Sequence, residues 1–260
     1  MIVQNRFNLM PTVVKNLLII NGLFFLAKYS IQTTYGIEIS SWLGLYFPLS
    51  ENFLPFQFIT HMFMHGNFGH IFSNMLMLWF LGSAMENYWG PKRFLIYYML
   101  TGLGASALHI GVNAIEYMNM TSSYLSSEDI NLILSGDIQA GNLFQGAKKI
   151  DDIWMIGEEY YKSRQPEDFQ LINLFKTPMV GASGAVFGVL LAFGMTFPNQ
   201  LIYLNFLFPI KAKYFVIGYG LFELYNGFMV SNSGIAHFAH LGGMLFGYIL
   251  IRKWRRERYR

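Results

Sequence analysis

Residues Met179–Gly188 read MVGASGAVFG. A single hydroxyl, that of Ser183, sits there among glycines, alanines and apolar side chains. Two readings compete. A serine in a membrane helix can serve packing alone; in a hydrolase it is a nucleophile and needs a base within reach. The surroundings narrow the choice. The chain of 260 residues is 53% hydrophobic, 18% aromatic and only 13% charged, whereas soluble domains carry about 25% charged residues. The charges are clumped and leave runs of roughly 20 apolar residues, the length that crosses a hydrocarbon core. The chain therefore reads as a polytopic membrane protein. It has no cysteine, which excludes disulfides, thiol nucleophiles and CxxC metal sites. The net charge of +3 says little by itself; its distribution carries the information.

Six apolar segments stand out, at about Val13–Ser30, His70–Tyr88, Phe94–Ile115, Ala182–Phe197, Tyr214–Val230 and Ile235–Trp254. The first residues lack the pattern of a cleaved signal peptide, so the first segment is expected to stay. Residues 116–178 form an extramembrane insertion that holds most of the acidic side chains. Within it IDDIWMIGEEYYKSR (150–164) alternates charge and bulk at helical spacing, which fits an amphipathic helix lying on the membrane surface or an ordinary soluble loop. Orientation follows from Lys and Arg in the short loops. Arg6 and Lys15, Lys92 and Arg93, Lys211 and Lys213, and the tail RKWRRERYR all fall on one side, while 31–60 and 230–234 hold no Lys or Arg. The expected fold is an all-α bundle of six transmembrane helices over 1–260, both termini cytoplasmic, with the enlarged outer loop between the third and fourth segments.

In that topology the second, fourth and sixth segments all run from outside to inside. Their unusual residues lie near their starts: His70 and Asn74, Ser183, and His237 with His240. Polar groups in lipid are unfavourable and face a protein interior or a wet cavity. Three distant clusters at one depth point to a site. Spacing adds to this, because Ser183 is followed by Gly184-x-x-x-Gly188 and His240 by Gly243-x-x-x-Gly247. Small residues four apart let helix backbones approach closely. Any single such pair is generic packing; paired with Ser and His at matching depth, they suggest that the fourth and sixth helices are pressed together.

Other motifs fare less well. GASGA at 181–185 lacks the strand and the correctly placed second glycine of a G-x-S-x-G elbow. Ser106, in GASA on the third segment, reads as packing. His61 and His65 sit four apart without the glutamate of H-E-x-x-H, so hydrogen bonding to the loop backbone is expected, and no metal. His109 and His237 read as structural, His240 as the base. Glu223, in the middle of the fifth segment, is either part of a proton or ion pathway or a hydrogen-bonded structural group.

The chain resembles the rhomboid intramembrane serine proteases in their six-helix form. Gly181-Ala-Ser183-Gly184 is similar to the family's G-x-S-G, and the resemblance implies Ser183 as nucleophile. His240-Leu-Gly-Gly243-Met-Leu-Phe-Gly247 is similar to its H-x-x-G-x-x-x-G and implies His240 as base. The histidine-rich entry His61 to Asn74 implies that His70 and Asn74 help hold the oxyanion, with the Ser183 amide. Gly181 and Gly184 are expected to let a substrate strand approach, and Gly188, Gly243, Gly247 and Phe187 to pack. Phe187 stands where some members use a tyrosine to pack on the base. Leu54-Pro-Phe-Gln-Phe stands where many members carry a Trp-Arg pair, and Gly82-x-x-x-Glu86-x-x-x-Gly90 resembles a structural element. With no carboxylate expected near His240, a Ser-His dyad follows. The resemblance implies an endopeptidase that needs no cofactor, with transmembrane proteins as substrates, entering near the fifth helix, lipids as surroundings and no nucleic acid. The lack of a targeting pattern and the compact form lead to the expectation of a bacterial inner membrane. Two rivals stand beside it: a catalytically silent relative that binds membrane clients, and a small transporter built on Glu223 and the histidines.

Overall fold

The computed structural model describes residues 7–124, 174–204, 207–229 and 236–258. The segment 150–164, read above as a surface helix or loop, lies outside the described residues, as does most of the 116–178 insertion. In chain order the helices are α1 (Thr12–Tyr35), α2 (Ser40–Leu43), α3 (Gln57–Thr60), α4 (Phe68–Met77), α5 (Ser83–Trp89), α6 (Pro91–Tyr124), α7 (Ser183–Thr196), α8 (Ala212–Met229) and α9 (His237–Arg258). A 3-10 turn at His61–Phe63 precedes α4, and one π-helical stretch at Leu78–Gly82 joins α4 to α5 in a continuous span. Among the described residues three helices are long and apolar enough to cross a membrane: Thr12–Tyr35, Phe68–Trp89 and Pro91–Asn119; Ser183–Thr196 is a shorter apolar helix. The protein is mostly helical and is an integral membrane protein.

Two compact units divide the chain. The larger takes in Met1–Leu45, Pro55–His109 and Met179–Arg260. At its centre is α7, buried without a break from Gly184 to Leu190. A helix that is apolar all round belongs in an interior. By contrast α1 exposes Ile19, Leu23 and Leu26, and α8 exposes Ile217, Leu221 and Phe228. Contiguous exposed apolar surface of this kind suits lipid contact. Since lipid is as apolar as leucine, helices in such a bundle are held by close packing and internal hydrogen bonds rather than by escape from water. Accordingly α7 packs extensively against α9.

The ends of the helices have identifiable causes. Glu86 on α5 accepts the amides of Val13 and Val14 at 2.9 and 2.8 Å, which caps the start of α1 that Pro11 leaves without a side-chain acceptor. At the other end of α1, Gly36 takes the left-handed conformation at φ 68°, the usual stop for a helix. Asn67 caps α4 by accepting the His70 amide at 2.9 Å. Against the expected end of the third segment at Ile115, α6 continues to Tyr124, since Glu116–Tyr124 holds neither proline nor glycine. Polarity ends a membrane crossing without ending a helix. Between α7 and α8 a feature absent from the sequence reading appears, an antiparallel pair of β1 (Leu201–Leu204) and β2 (Phe208–Lys211), with Leu201 opposite Lys211 and Leu204 opposite Phe208.

The smaller unit comprises Tyr46–Leu54 and Ile110–Pro178. Its described part is built on the rings of Phe47, Tyr117 and Phe175, whose centroids lie 5.7–6.0 Å apart. Ser50 donates to the Phe175 carbonyl at 2.8 Å.

Candidate active site

Three elements meet around Ser183. It is the first residue of α7, and no side chain caps that helix start, so the amides of the first turn have no intrahelical acceptor. From α9, the Nε2 of His240 lies 2.8 Å from Ser183 Oγ. Glycine allows this approach. A Cβ at Gly243 would collide with the Gly184 carbonyl oxygen, so α7 and α9 touch backbone to backbone there. The other small residues divide their contacts differently from expectation. A Cβ at Gly184 would strike Ala105, one at Gly188 would strike Thr101 at 2.6 Å, and one at Gly247 would strike the Tyr97 hydroxyl. Those three partners belong to α6, so α7 is wedged between α6 and α9. Gly184, expected to admit substrate, is therefore consumed in helix contact. Tyr97 adds a hydrogen bond to the Gly188 carbonyl at 2.8 Å.

Phe187, one turn into α7, lies flat on the His240 ring, with centroids 4.1 Å apart and planes 4° from parallel. Its other face stacks on Tyr219 of α8 at 5.1 Å. The imidazole is thus fixed in plane by packing, with no hydroxyl involved.

On the far side of His240 the structure corrects the sequence reading. A carboxylate is present: Glu223 Oε2 lies 3.0 Å from His240 Nδ1 and 2.7 Å from His237 Nδ1. The contact to His237 is a well-directed hydrogen bond. The one to His240 has the distance of an ion pair, but Nδ1 is left without a directed hydrogen bond. All three side chains are buried. Their donor atoms lie within 4.8 Å of one another, close enough for one cation, yet the carboxylate oxygen already serves both imidazoles. Glu223 stood out in the sequence as a pathway or hydrogen-bonded group, but its place beside His240 was missed because it sits mid-segment while the histidines begin theirs. The signal was depth: at 1.5 Å per residue, Glu223 lies six residues, about 9 Å, before the end of α8 and His240 three residues, about 4.5 Å, after the start of α9, so each falls in the part of its helix nearest the α8–α9 connection.

Opposite Ser183 stands the histidine-rich entry. Gly181 has φ 128°, and a Cβ there would lie 2.8 Å from the Cε1 and Nε2 of His70 and 3.6 Å from Ser183 Oγ. Only glycine fits, both for its conformation and because the imidazole and the hydroxyl close on it from two sides. The Gly66 amide donates to His70 Nδ1 at 3.4 Å, which leaves Nε2 as the N–H bearing atom on the Ser183 side. Asn74, four residues on and so on the same face of α4, is buried with its Nδ2 lacking a partner among the described residues.

The loop before α4 is anchored without a Trp-Arg pair. Gln57 is fully buried and donates to the Trp42 carbonyl at 3.1 Å, and Thr60 donates to Leu43 at 2.7 Å. His61 pairs through Nδ1 with the Gln57 carbonyl at 2.7 Å, with Nε2 3.4 Å from Ser106 Oγ; its carbonyl accepts the Gly181 amide at 2.9 Å. Burial pushes the His61 imidazole down to about 4, so it serves as a neutral hydrogen-bonding strut. His65, pushed down to about 3 by burial and by His70, packs edge-on against His70 at 5.0 Å. Sequence reasoning also passed over Lys28 of α1. It is buried, donates to the His65 and Gly66 carbonyls at 3.2 Å each, and lies 3.5 Å from Glu38. Burial works to raise the Glu38 carboxyl, but hydrogen bonds from Ser40 and the Lys28 charge outweigh it and hold the group below its usual range. A lysine at the opposite end of the first apolar segment from Lys15 was the available signal.

A membrane helical bundle with a serine hydroxyl on an imidazole defines the class, and comparison with known proteins places it further. The family model described as "Rhomboid domain" matches residues 54–126 and 160–256. The chain is 30% identical over 205 residues to RHOMBOID-like protein 12, mitochondrial, of Arabidopsis thaliana, which covers 78% of this chain and 47% of that protein. It is 23% identical over 177 residues to Rhomboid protease GlpG of Yersinia pestis (strain Pestoides F) and likewise to that of Yersinia pseudotuberculosis serotype O:3 (strain YPIII), covering 65% of this chain and 58% of theirs. The chain spans about half the length of the curated relatives it matches. It belongs to the rhomboid family.

Proposed function

We propose that the chain is an intramembrane serine endopeptidase that cuts transmembrane segments of other membrane proteins, with Ser183 as nucleophile and His240 as base. The observation that carries this reading is the 2.8 Å contact between Ser183 Oγ and His240 Nε2, in a family whose members include proteins named as proteases. In the mechanism that follows, Ser183 Oγ attacks a peptide carbonyl while His240 Nε2 takes its proton. The C–N bond then breaks, and His240 passes that proton to the leaving amine. Water, activated by the same nitrogen, hydrolyses the acyl-enzyme. The oxyanion meets His70 Nε2–H, Asn74 Nδ2 and the Ser183 amide. The unpartnered Asn74 donor and the His70 tautomer set by Gly66 support this. Each such donor is typically worth roughly 3–4 kcal/mol in a dry site.

Six crossings are proposed, with both termini cytoplasmic, on the strength of the basic loops. The fourth to sixth are α7, α8 and α9. A bacterial cytoplasmic membrane is the setting supported by the bacterial relatives, with the mitochondrial relative on the other side of the balance. Labelling by a serine-directed fluorophosphonate in detergent tests the reading. The wild-type chain is expected to label, Ser183→Ala to be blank and His240→Ala to lose at least ~100-fold in labelling rate. Labelling of Ser183→Ala at the wild-type rate overturns it, and a wild-type chain that never labels favours a silent, client-binding relative.

A further inference from the structure

Glu223 lies outside the Ser-His pair, yet its carboxylate is buried beside it. A charge in a membrane interior is retained only with partners, and the partners here are two imidazoles. His237 Nδ1 holds Oε2 at 2.7 Å with good direction, and His240 Nδ1 lies 3.0 Å from the same oxygen. A neutral imidazole carries one N–H. For Nε2 of His240 to accept the Ser183 proton, that N–H must be on Nδ1, on the side where the carboxylate sits. When His240 takes the Ser183 proton, its contact with the carboxylate becomes a full ion pair. Phe187 flat on the ring prevents tilting, so the imidazole can answer the carboxylate only by small in-plane motion.

We propose that Glu223 is a positioning residue: tethered by His237, it selects the His240 tautomer that receives the Ser183 proton and stabilises the imidazolium formed during cleavage. The site then works as a buried Ser183–His240–Glu223–His237 relay rather than as a bare dyad. His237 is the tether that keeps Glu223 from swinging toward solvent, so its loss weakens the effect without abolishing it. The same carboxylate also ties α8 to α9, and a purely structural tie is the alternative the experiment must separate. The remaining titratable groups around His240 are His70 from α4, His109 from α6 and Tyr219 from α8. They stay unchanged in the variants below, so they contribute equally to every profile.

This inference rests on the protease reading, and the test keeps the two apart. Cleavage of a model transmembrane substrate in detergent is followed against pH for wild type, Glu223→Gln, Glu223→Asp and His237→Ala, with thermal stability measured on each. Glu223→Gln keeps size and polarity but presents an amide that can donate to Nδ1 and so favours the wrong tautomer. Its kcat is expected to fall roughly 100-fold with KM within twofold. The acidic limb of kcat/KM should move to lower pH, because the imidazolium loses its counter-charge. Glu223→Asp should recover part of the rate, and His237→Ala should lose several-fold with a smaller shift of the same sign. A Glu223→Gln enzyme with wild-type kcat and an unmoved acidic limb overturns the proposal, as does equal loss in Gln and Asp variants accompanied by lowered thermal stability. If wild-type cleavage is itself indifferent to Ser183→Ala, the protease reading has failed instead.

Discussion

Ser183 and Gly181 show how one residue sets the terms for the next. In the proposed reaction the hydroxyl can act only because His240 reaches it at 2.8 Å, and His70 reaches the same space only because Gly181 has no side chain. At φ 128° an alanine would be strained by on the order of 1–3 kcal/mol, and its Cβ would overlap His70. Gly181→Ala is therefore expected to reduce kcat at least ~100-fold, well beyond its effect on stability, as read by cleavage kinetics beside a thermal melt. Wild-type turnover with an intact melt would show that His70 does not need its present position. Glu223 makes the same point from the other side: its chemistry is set by two neighbours and by the Phe187 face that holds one of them still.

At the level of elements, the site depends on how closely α7 and α9 run. Gly243 faces the Gly184 carbonyl with no room for a methyl group, whereas Gly22 of α1 and Gly218 of α8 have nothing within 4 Å of an added Cβ. Gly243→Ala should push the two helices apart at the level of the Ser183–His240 contact. Activity is expected to fall by more than tenfold and the melting temperature in detergent by several degrees. Gly218→Ala should leave both near wild type, since the new methyl group meets open space and alanine is the better helix former. Activity measured on the pair separates a specific helix contact from a general intolerance of glycine replacement; equal losses would count against the contact.

Across the whole molecule, charge and apolar surface are sorted. Large apolar side chains stand exposed on α1 and α8, and the basic residues Lys92, Arg93, Lys211, Lys213 and Arg255 lie toward one end of the proposed topology. Because the chain has no cysteine, introduced cysteines report without background. Lys92→Cys, Lys211→Cys and Arg255→Cys are expected to react with an impermeant maleimide only when the cytoplasmic face is opened, and Asn52→Cys from the outer face in intact cells. The reverse pattern would invert the proposed orientation.

Much of this was readable along the chain. Apolar runs announced the membrane, because lipid demands about 20 apolar residues per crossing whatever they later pack against. Ser183 and His240 announced themselves by polarity beside glycine stripes. What the linear pattern did not hold was which face meets which helix. Gly184 and Gly188 turned to α6 as well as α9, the β1–β2 pair formed between two spans, and Gln57 anchored a loop whose expected anchor was missing. The carboxylate beside His240 was decided in the same way. Sequence fixes the residue types and their order along each helix, but the depth and rotation of α8 against α9 come from packing summed over the whole bundle. Only that packing sets Glu223 between two imidazoles.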